Sequence, residues 1–272
     1  RLIAAMHVSA KFVDREAATR RGIPITVIPN RIANTTAEFT LALLMATAWR
    51  LPEADRFLRD GRWRQNQSIA FLGTRLFDKT LGILGMGSVG TGVASRARAC
   101  GMHILYNKRS RLSPVEEAFL GAEYRSLVDL FRESDFVVLT PALTKNTKGM
   151  VTADLIGMMR RSAILINTSR GQVIDEAALE AALVDGRIAG AGLDVYEREI
   201  PEVDVPGPSE RLRSLPNVVL TPHIGTAARE TREEMAMRAV ENIERFLDGL
   251  RPLDVLNPEV YGEAATIDER IG

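Results

Sequence analysis

The sequence predicts an α/β protein: a parallel sheet wound on both faces by helices, with a second, smaller α/β unit. Three observations carry this. From about residue 80 onward, short apolar runs alternate with helical segments, the pattern of parallel strands joined by crossover helices. A glycine-rich turn, Gly85-Met86-Gly87-Ser88-Val89-Gly90, stands between one such strand and a helix. The chain has 272 residues, 46% of them hydrophobic, which is enough for two cores.

The elements follow in order. Residues 2–6 are a short apolar run read as a strand, and 14–21 are polar and helix-compatible. Gly22 and Pro24 punctuate the chain before a β-branched run at 25–28. A long helix comes next. Thr35 and Glu38 have the spacing of a capping box with Thr35 at the cap. Apolar residues run densely from Phe39 to Trp49, Pro52 kinks or restarts the helix, and Gly61 ends it. Strands are predicted at 81–84, 103–106, 136–139, 163–166, 190–194 and 218–220, with a helix at 176–186. Residues 198–216 hold four of the twelve prolines and read as a surface loop. The last helix covers about 228–248. It places Met235, Ala239, Ile243 and Leu247 on one face and pairs Glu234 with Arg238 outside. Gly249 suits its C′ position and Pro252 stops it.

Composition excludes several classes. There are 35 basic and 35 acidic residues with no long run of one sign, so neither nucleic acid nor a membrane surface is an expected partner. Cys100 is the only cysteine. No intrachain disulfide and no zinc or iron–sulfur site is therefore expected, which fits a cytoplasmic protein. No apolar run approaches the ~18 residues of a membrane span. The first residues do not read as a secretion signal.

The glycine turn matches G-x-G-x-x-G in the context that gives it meaning, after a strand and opening a helix. Gly85 permits the tight turn, Gly87 lets a pyrophosphate approach the backbone, and Gly90 lets helix and strand pack closely. Ser88 and Val89 begin the helix, whose free N–H groups favour an anion. The next strand ends at Asn107, where an NAD site usually has an acid. Lys108, Arg109, Ser110 and Arg111 follow. That set suits a ribose 2′-phosphate; it is also what a solvated basic loop looks like.

Three further segments end predicted parallel strands: Ile166-Asn167-Thr168-Ser169-Arg170-Gly171, Gly192-Leu193-Asp194-Val195-Tyr196-Glu197-Arg198-Glu199 and Thr221-Pro222-His223-Ile224-Gly225. Ligands bind beyond such strand ends. An arginine can hold a substrate carboxylate by paired hydrogen bonds, and a histidine can donate a proton to a carbonyl oxygen. A neighbouring carboxylate would raise an imidazole pKa and fix its tautomer. Spacing alone does not pair His223 with Glu199. Of the other two histidines, His7 and His103, the latter lies on a predicted strand and reads as structural.

These segments, with Ala37-Glu38 on the long helix, resemble the D-isomer-specific 2-hydroxyacid dehydrogenase family over nearly the whole chain. The resemblance implies a Rossmann-type cofactor domain at 34–225. It also implies a flavodoxin-like substrate domain from 1–33 and 226–272 that lacks elements upstream of Arg1. It makes Arg170 the substrate-binding arginine, Glu199 the catalytic acid with Glu197 a bystander, and His223 the acid/base. Asp194 would meet the nicotinamide carboxamide, Thr140, Pro141 and Thr168 would lie at cofactor positions, and Val8 and Ser9 would bind the substrate carboxylate. Ser9 and Lys11 replace the usual glycine and aspartate of that early loop, and Ile200 precedes Pro201 where the family has proline directly after the acid. The implied activity is hydride transfer from NAD(P)H, NADPH preferred and NADH possible, to a small 2-oxo acid, giving a D-2-hydroxy acid, in a homodimer. Glyoxylate and hydroxypyruvate reductases fit best. The alternatives are a phosphoglycerate-type dehydrogenase and a non-catalytic, NAD(H)-sensing corepressor-like protein.

Overall fold

The computed structural model describes residues 1–7, 10, 13–28, 32–65, 69–199 and 207–262. Two short parallel strands, β1 (Ile3–Ala4) and β2 (Ile25–Thr26), flank α1 (Arg15–Arg20). Asp14 caps α1, its carboxylate accepting the Ala17 amide at 2.8 Å. The buried Asn257 ties the returning chain to this unit: it accepts the Ile25 amide at 2.7 Å and donates to the Ile23 carbonyl at 3.0 Å.

α2 (Ala33–Ala48) begins two residues before Thr35, so the expected capping box does not form. The Thr35 hydroxyl lies 2.6 Å from that of Thr231 instead. With that partner it has no need of a helix amide, and the helix runs on through it. α3 (Leu51–Arg59) is a restart. Arg50 adopts a left-handed φ of 53°, and Pro52 falls in the first turn, where its missing N–H costs nothing.

Residues 80–220 build one sheet with its helices, and the last helix belongs to the unit of β1 and β2. In order come β3 (Thr80–Leu84), α4 (Ser88–Ala99), β4 (His103–Asn107), α5 (Pro114–Leu120), β5 (Ala122–Tyr124), α6 (Leu127–Glu133), β6 (Phe136–Leu139), α7 (Ala153–Met158), β7 (Ile164–Asn167), α8 (Glu176–Val184), β8 (Gly190–Leu193), α9 (Glu210–Ser214), β9 (Val218–Leu220) and α10 (Arg229–Leu247). The seven strands lie in the order β5-β4-β3-β6-β7-β8-β9, every pair parallel. Two cores cover the faces. Phe136, Val138, Ile164 and Ile166 point to one with Ala94 and Ala97 of α4; Val137, Leu139 and Leu165 point to the other with Leu130 of α6 and Leu179 of α8. This is the period-two alternation of strands buried on both sides. Each of the Val, Leu, Ile and Phe side chains among them contributes roughly 1.5–3 kcal/mol of burial.

β5 and α9 depart from the expectation. β5 is a three-residue edge strand, and α9 is a single capped turn inside the expected loop that buries only Leu212. On α10 the buried stripe is Thr231, Met235, Ala239 and Asn242; Ile243 and Leu247 are exposed. Asn242 earns its buried place by accepting the Leu253 amide at 2.9 Å and donating to Asp254 at 2.9 Å. Arg238 pairs with Asp254 and Glu241, not Glu234. His103 faces solvent, with Nε2 3.3 Å from Asp78.

The chain divides into two compact units, one of residues 1–35 and 226–272, the other of 36–225.

Candidate active site

The register of the sheet decides where the chemistry sits. Leu84 lies beside Asn107 and Leu139, Leu139 beside Asn167, Asn167 beside Leu193, and Leu193 beside Leu220. Six neighbouring strands thus end in one row, and the glycine turn, the basic turn after Asn107 and the three segments that carry Arg170, Glu199 and His223 all leave the sheet from that edge.

The glycine loop has the shape a pyrophosphate requires. Gly85 has a φ of 99°, and a Cβ there would lie 2.6 Å from the Pro141 nitrogen. A Cβ on Gly90 would lie 2.4 Å from the Gly85 carbonyl oxygen. Gly87 has nothing within 4 Å of a Cβ position. Gly87 and Ser88 are exposed and Val89 half-buried, so the first amides of α4 face open space. Backbone donors, a helix N-terminus and a gap at Gly87 fit a dinucleotide phosphate. Thr140 braces this loop, donating to the Gly85 carbonyl at 2.7 Å.

Beyond β4, Asn107 donates to the Arg125 carbonyl at 2.8 Å. Lys108 is half-buried; Arg109 and Ser110 are exposed. Arg111 grips Glu117 through two hydrogen bonds of 2.8 and 2.9 Å, so it braces the turn against α5. Tyr106 donates to the same carboxylate at 2.6 Å. Bonds from Arg111 and then Tyr106 hold the Glu117 carboxyl down at about 2.

The other strand ends assemble an acid–base pair beside an arginine. After β7, the buried Asn167 folds the chain back on itself. It accepts from the Ser169 amide at 3.0 Å and donates to the Arg170 carbonyl at 3.1 Å. Thr168 is buried, its hydroxyl 2.7 Å from that of Thr40. Glu199 Oε2 lies 2.8 Å from His223 Nδ1, and Glu199 Oε1 accepts the Tyr196 amide at 2.7 Å. Burial pushes the Glu199 carboxyl up, but the bonds from His223 and Tyr196 and the charges of His223 and Arg170 outweigh it, and the net shift is downward. With Nδ1 donating to the carboxylate, Nε2 is the nitrogen left to exchange a proton with a ligand.

Sequence reasoning missed how His223 is held. Its backbone is left-handed, with a φ of 53°. The buried Asp194 fixes that turn: its carboxylate accepts from the Thr221 hydroxyl at 2.6 Å and from the Ile224 and Gly225 amides at 2.9 Å each. Tyr196 adds a bond to the Thr221 carbonyl at 2.8 Å. The carboxyl-terminal position of Asp194 was readable in the sequence; its partners were not. Val8 and Ser9 lie outside the described residues. Among the described residues no group of histidines, cysteines and acids could hold a metal.

A dinucleotide-type loop sharing one sheet edge with an acid–histidine pair and an arginine defines a nicotinamide-dependent oxidoreductase. Residues 41–225 match the D-isomer specific 2-hydroxyacid dehydrogenase, NAD binding domain, and the chain belongs to that family of NAD(P)-dependent enzymes reducing 2-oxo acids. It is 49% identical over 265 residues to a glyoxylate reductase of Thermococcus kodakarensis, covering 96% of this chain and 77% of that one. A glyoxylate reductase from Paecilomyes thermophila superimposes with a TM-score of 0.80 at 35% identity, over 95% of this chain and 76% of that one. An NADPH-dependent glyoxylate/hydroxypyruvate reductase from Sinorhizobium meliloti, in complex with NADP and malonate, gives 0.81 at 34% identity, over 94% and 77%. The expected fold class, family and enzyme class therefore hold. No helix among the described residues is long and apolar enough to cross a membrane.

Proposed function

We propose that the chain reduces glyoxylate or hydroxypyruvate, using NADPH in preference to NADH, with Arg170 as substrate anchor and His223 as proton donor. The observation that carries this reading is the 2.8 Å contact between His223 and Glu199 at the strand edge that also bears Arg170. A bound nicotinamide supplies the hydride. Gly85, Gly87 and Gly90 would admit its pyrophosphate to the amides of Ser88 and Val89, and Lys108, Arg109 and Ser110 would face the 2′-phosphate. Arg170 binds the carboxylate of the 2-oxo acid through its planar fork and orients the carbonyl. His223 Nε2 donates a proton to the carbonyl oxygen as negative charge develops there, and Glu199 stabilises the imidazolium before transfer. The substrate reading draws on the named activity of the relatives.

The same reading makes the protein a cytoplasmic homodimer. Trp49, Leu51, Leu58, Trp63, Leu72 and Phe77 are each at least half exposed between α2 and β3, and apolar side chains of this kind are what a second copy would cover. Steady-state turnover of glyoxylate, hydroxypyruvate, pyruvate and 3-phosphohydroxypyruvate with each nicotinamide tests the reading. Glyoxylate and hydroxypyruvate should give the highest kcat/KM, and His223→Ala should cost roughly 10²–10⁴ in kcat. Preference for the phosphorylated substrate would reassign the chain to the phosphoglycerate type, and no turnover with any acid would leave a binding protein. Sedimentation of the protein measures the dimer.

A further inference from the structure

We propose that Glu176 and Gln172 are positioning residues, which hold Glu199 on His223 by clamping the backbone of Glu197 from both sides. The proposal rests on the reading of Glu199 and His223 as the proton-transferring pair.

The clamp consists of three contacts. The Glu197 amide donates to Glu176 Oε2 at 2.9 Å. The Glu197 carbonyl accepts from Gln172 Nε2 at 3.1 Å. Between them Gly171 packs its bare Cα on the same stretch: a Cβ there would lie 1.8 Å from the Tyr196 carbonyl carbon and 2.3 Å from the Glu197 nitrogen. The segment that directly follows Arg170 is thus in backbone contact with the segment that delivers Glu199. Tyr196 completes the arrangement, since its hydroxyl bonds the Leu193 and Thr221 carbonyls and its amide fixes Glu199 Oε1. Oε2 is left for His223.

Glu197 itself is exposed, and among the described residues the clamp supplies the hydrogen bonds to its two backbone polar groups. Such an open loop would sample many positions, and proton transfer is sensitive to displacements of about 1 Å. Glu176 is an unusual residue to place here for stability alone. Burial pushes its carboxyl up more than the Glu197 amide pulls it down, and the charges of Glu197 and Glu180 push it the same way, with Arg198 opposing. The sequence holds Glu176 at the first position of α8, capped by Asp175, so its side chain starts from a fixed turn.

Kinetics of Glu176→Ala and Gln172→Leu, measured with glyoxylate, test the clamp. In Glu176→Ala, kcat should fall about tenfold, the equivalent of one charge-assisted bond, while KM for the cofactor stays within about twofold, since the cofactor loop is untouched. The alkaline fall of kcat/KM should move towards that of Glu199→Gln. Glu176→Gln keeps an acceptor for the Glu197 amide and should recover most of kcat. A lowered Tm with parental kcat and an unmoved pH profile would overturn the proposal. Should Glu176→Ala not fold, Gln172→Leu keeps every charge and should lose kcat several-fold in the same direction; parental kcat there would equally overturn it. If Glu199→Gln and His223→Ala lose turnover but the clamp variants do not, the clamp alone fails. If those two turn over like the parent, the pair reading fails and the clamp with it.

Discussion

His223 Nδ1 meets Glu199 Oε2 at 2.8 Å across 24 residues of chain, in a pair half-open to solvent on the histidine side. Its pH dependence has a definite sign. Glu199 is held below the ordinary carboxylate range despite burial. It therefore stays ionised through the neutral and mildly acidic range, and its contribution to stability is full above about 4.3 and is lost as pH falls through its lowered value. Reduction takes its proton from the imidazolium, so reductive kcat/KM should fall on the alkaline side. Glu199→Gln withdraws the negative charge that favours the imidazolium, and the fall should move to lower pH. A pH–rate profile of that variant lying on the parental curve would remove Glu199 from the pair.

Asp194 is the second test. Its buried carboxylate accepts three hydrogen bonds from the turn that keeps His223 left-handed. Asn at this position turns at least one N–H toward another N–H. The cost of such an unsatisfied pairing is about 1–3 kcal/mol, which for a domain of this size is roughly 2–4 °C in Tm per kcal/mol. Asp194→Asn should therefore melt several degrees lower and also lose kcat, because a relaxed turn no longer aims the imidazole. Thermal melting with parallel kinetics checks this; a lower Tm with intact kcat would limit Asp194 to scaffolding.

How much of this was legible follows from where the information lies. β3, β6 and β7 were readable because each is an apolar run buried in a parallel sheet, bounded by helices. β5 was not, since Ala122, Glu123 and Tyr124 sit at the edge and need no apolar pattern. On α10 the pattern of Ile243 and Leu247 misled, because Asn242 holds the buried position through bonds to residues 253 and 254. The residue types of the site were visible, and the resemblance assigned Arg170, Glu199 and His223 their roles. Their meeting was not visible in spacing, because it depends on the register of β8 and β9. Arg111 was read as one more cation for a phosphate; only the fold reveals Glu117 six residues on as its partner.

That partnership yields an acid-stability prediction. Glu117 is held at about 2 by Arg111 and Tyr106. A carboxylate with a depressed folded value stabilises fully above its unfolded value of about 4.3 and loses that contribution as pH falls towards 2. Glu117→Gln should be less stable than the parent at neutral pH, with the gap closing below about pH 4. Denaturant unfolding at several pH values measures it, and a gap that stays constant down to pH 2 would mean that the lost packing, not the charge, destabilises the variant.

The last prediction concerns the proposed NADPH preference. Asn107 stands at the end of β4, where an acid would bind the ribose hydroxyls and repel a 2′-phosphate. Its amide is used to bond the Arg125 carbonyl. By the family resemblance the grip on a phosphate is assigned to Lys108, Arg109 and Ser110, and Arg111, bonded to Glu117, braces the turn from behind. A charge-assisted hydrogen bond is worth about 1.5–3 kcal/mol, so one contact should separate the two cofactors roughly 10- to 150-fold. The difference should appear in KM for the cofactor, because the phosphate is remote from the transferred hydride. Asn107→Asp with Arg109→Ala should reverse the preference. Arg111→Ala should weaken NADPH without strengthening NADH, since it loosens the turn but adds no acid. Equal KM values for NADH and NADPH in the parent would show that the turn is a solvated basic loop, and parental NADPH binding in Arg111→Ala would show that the brace is dispensable.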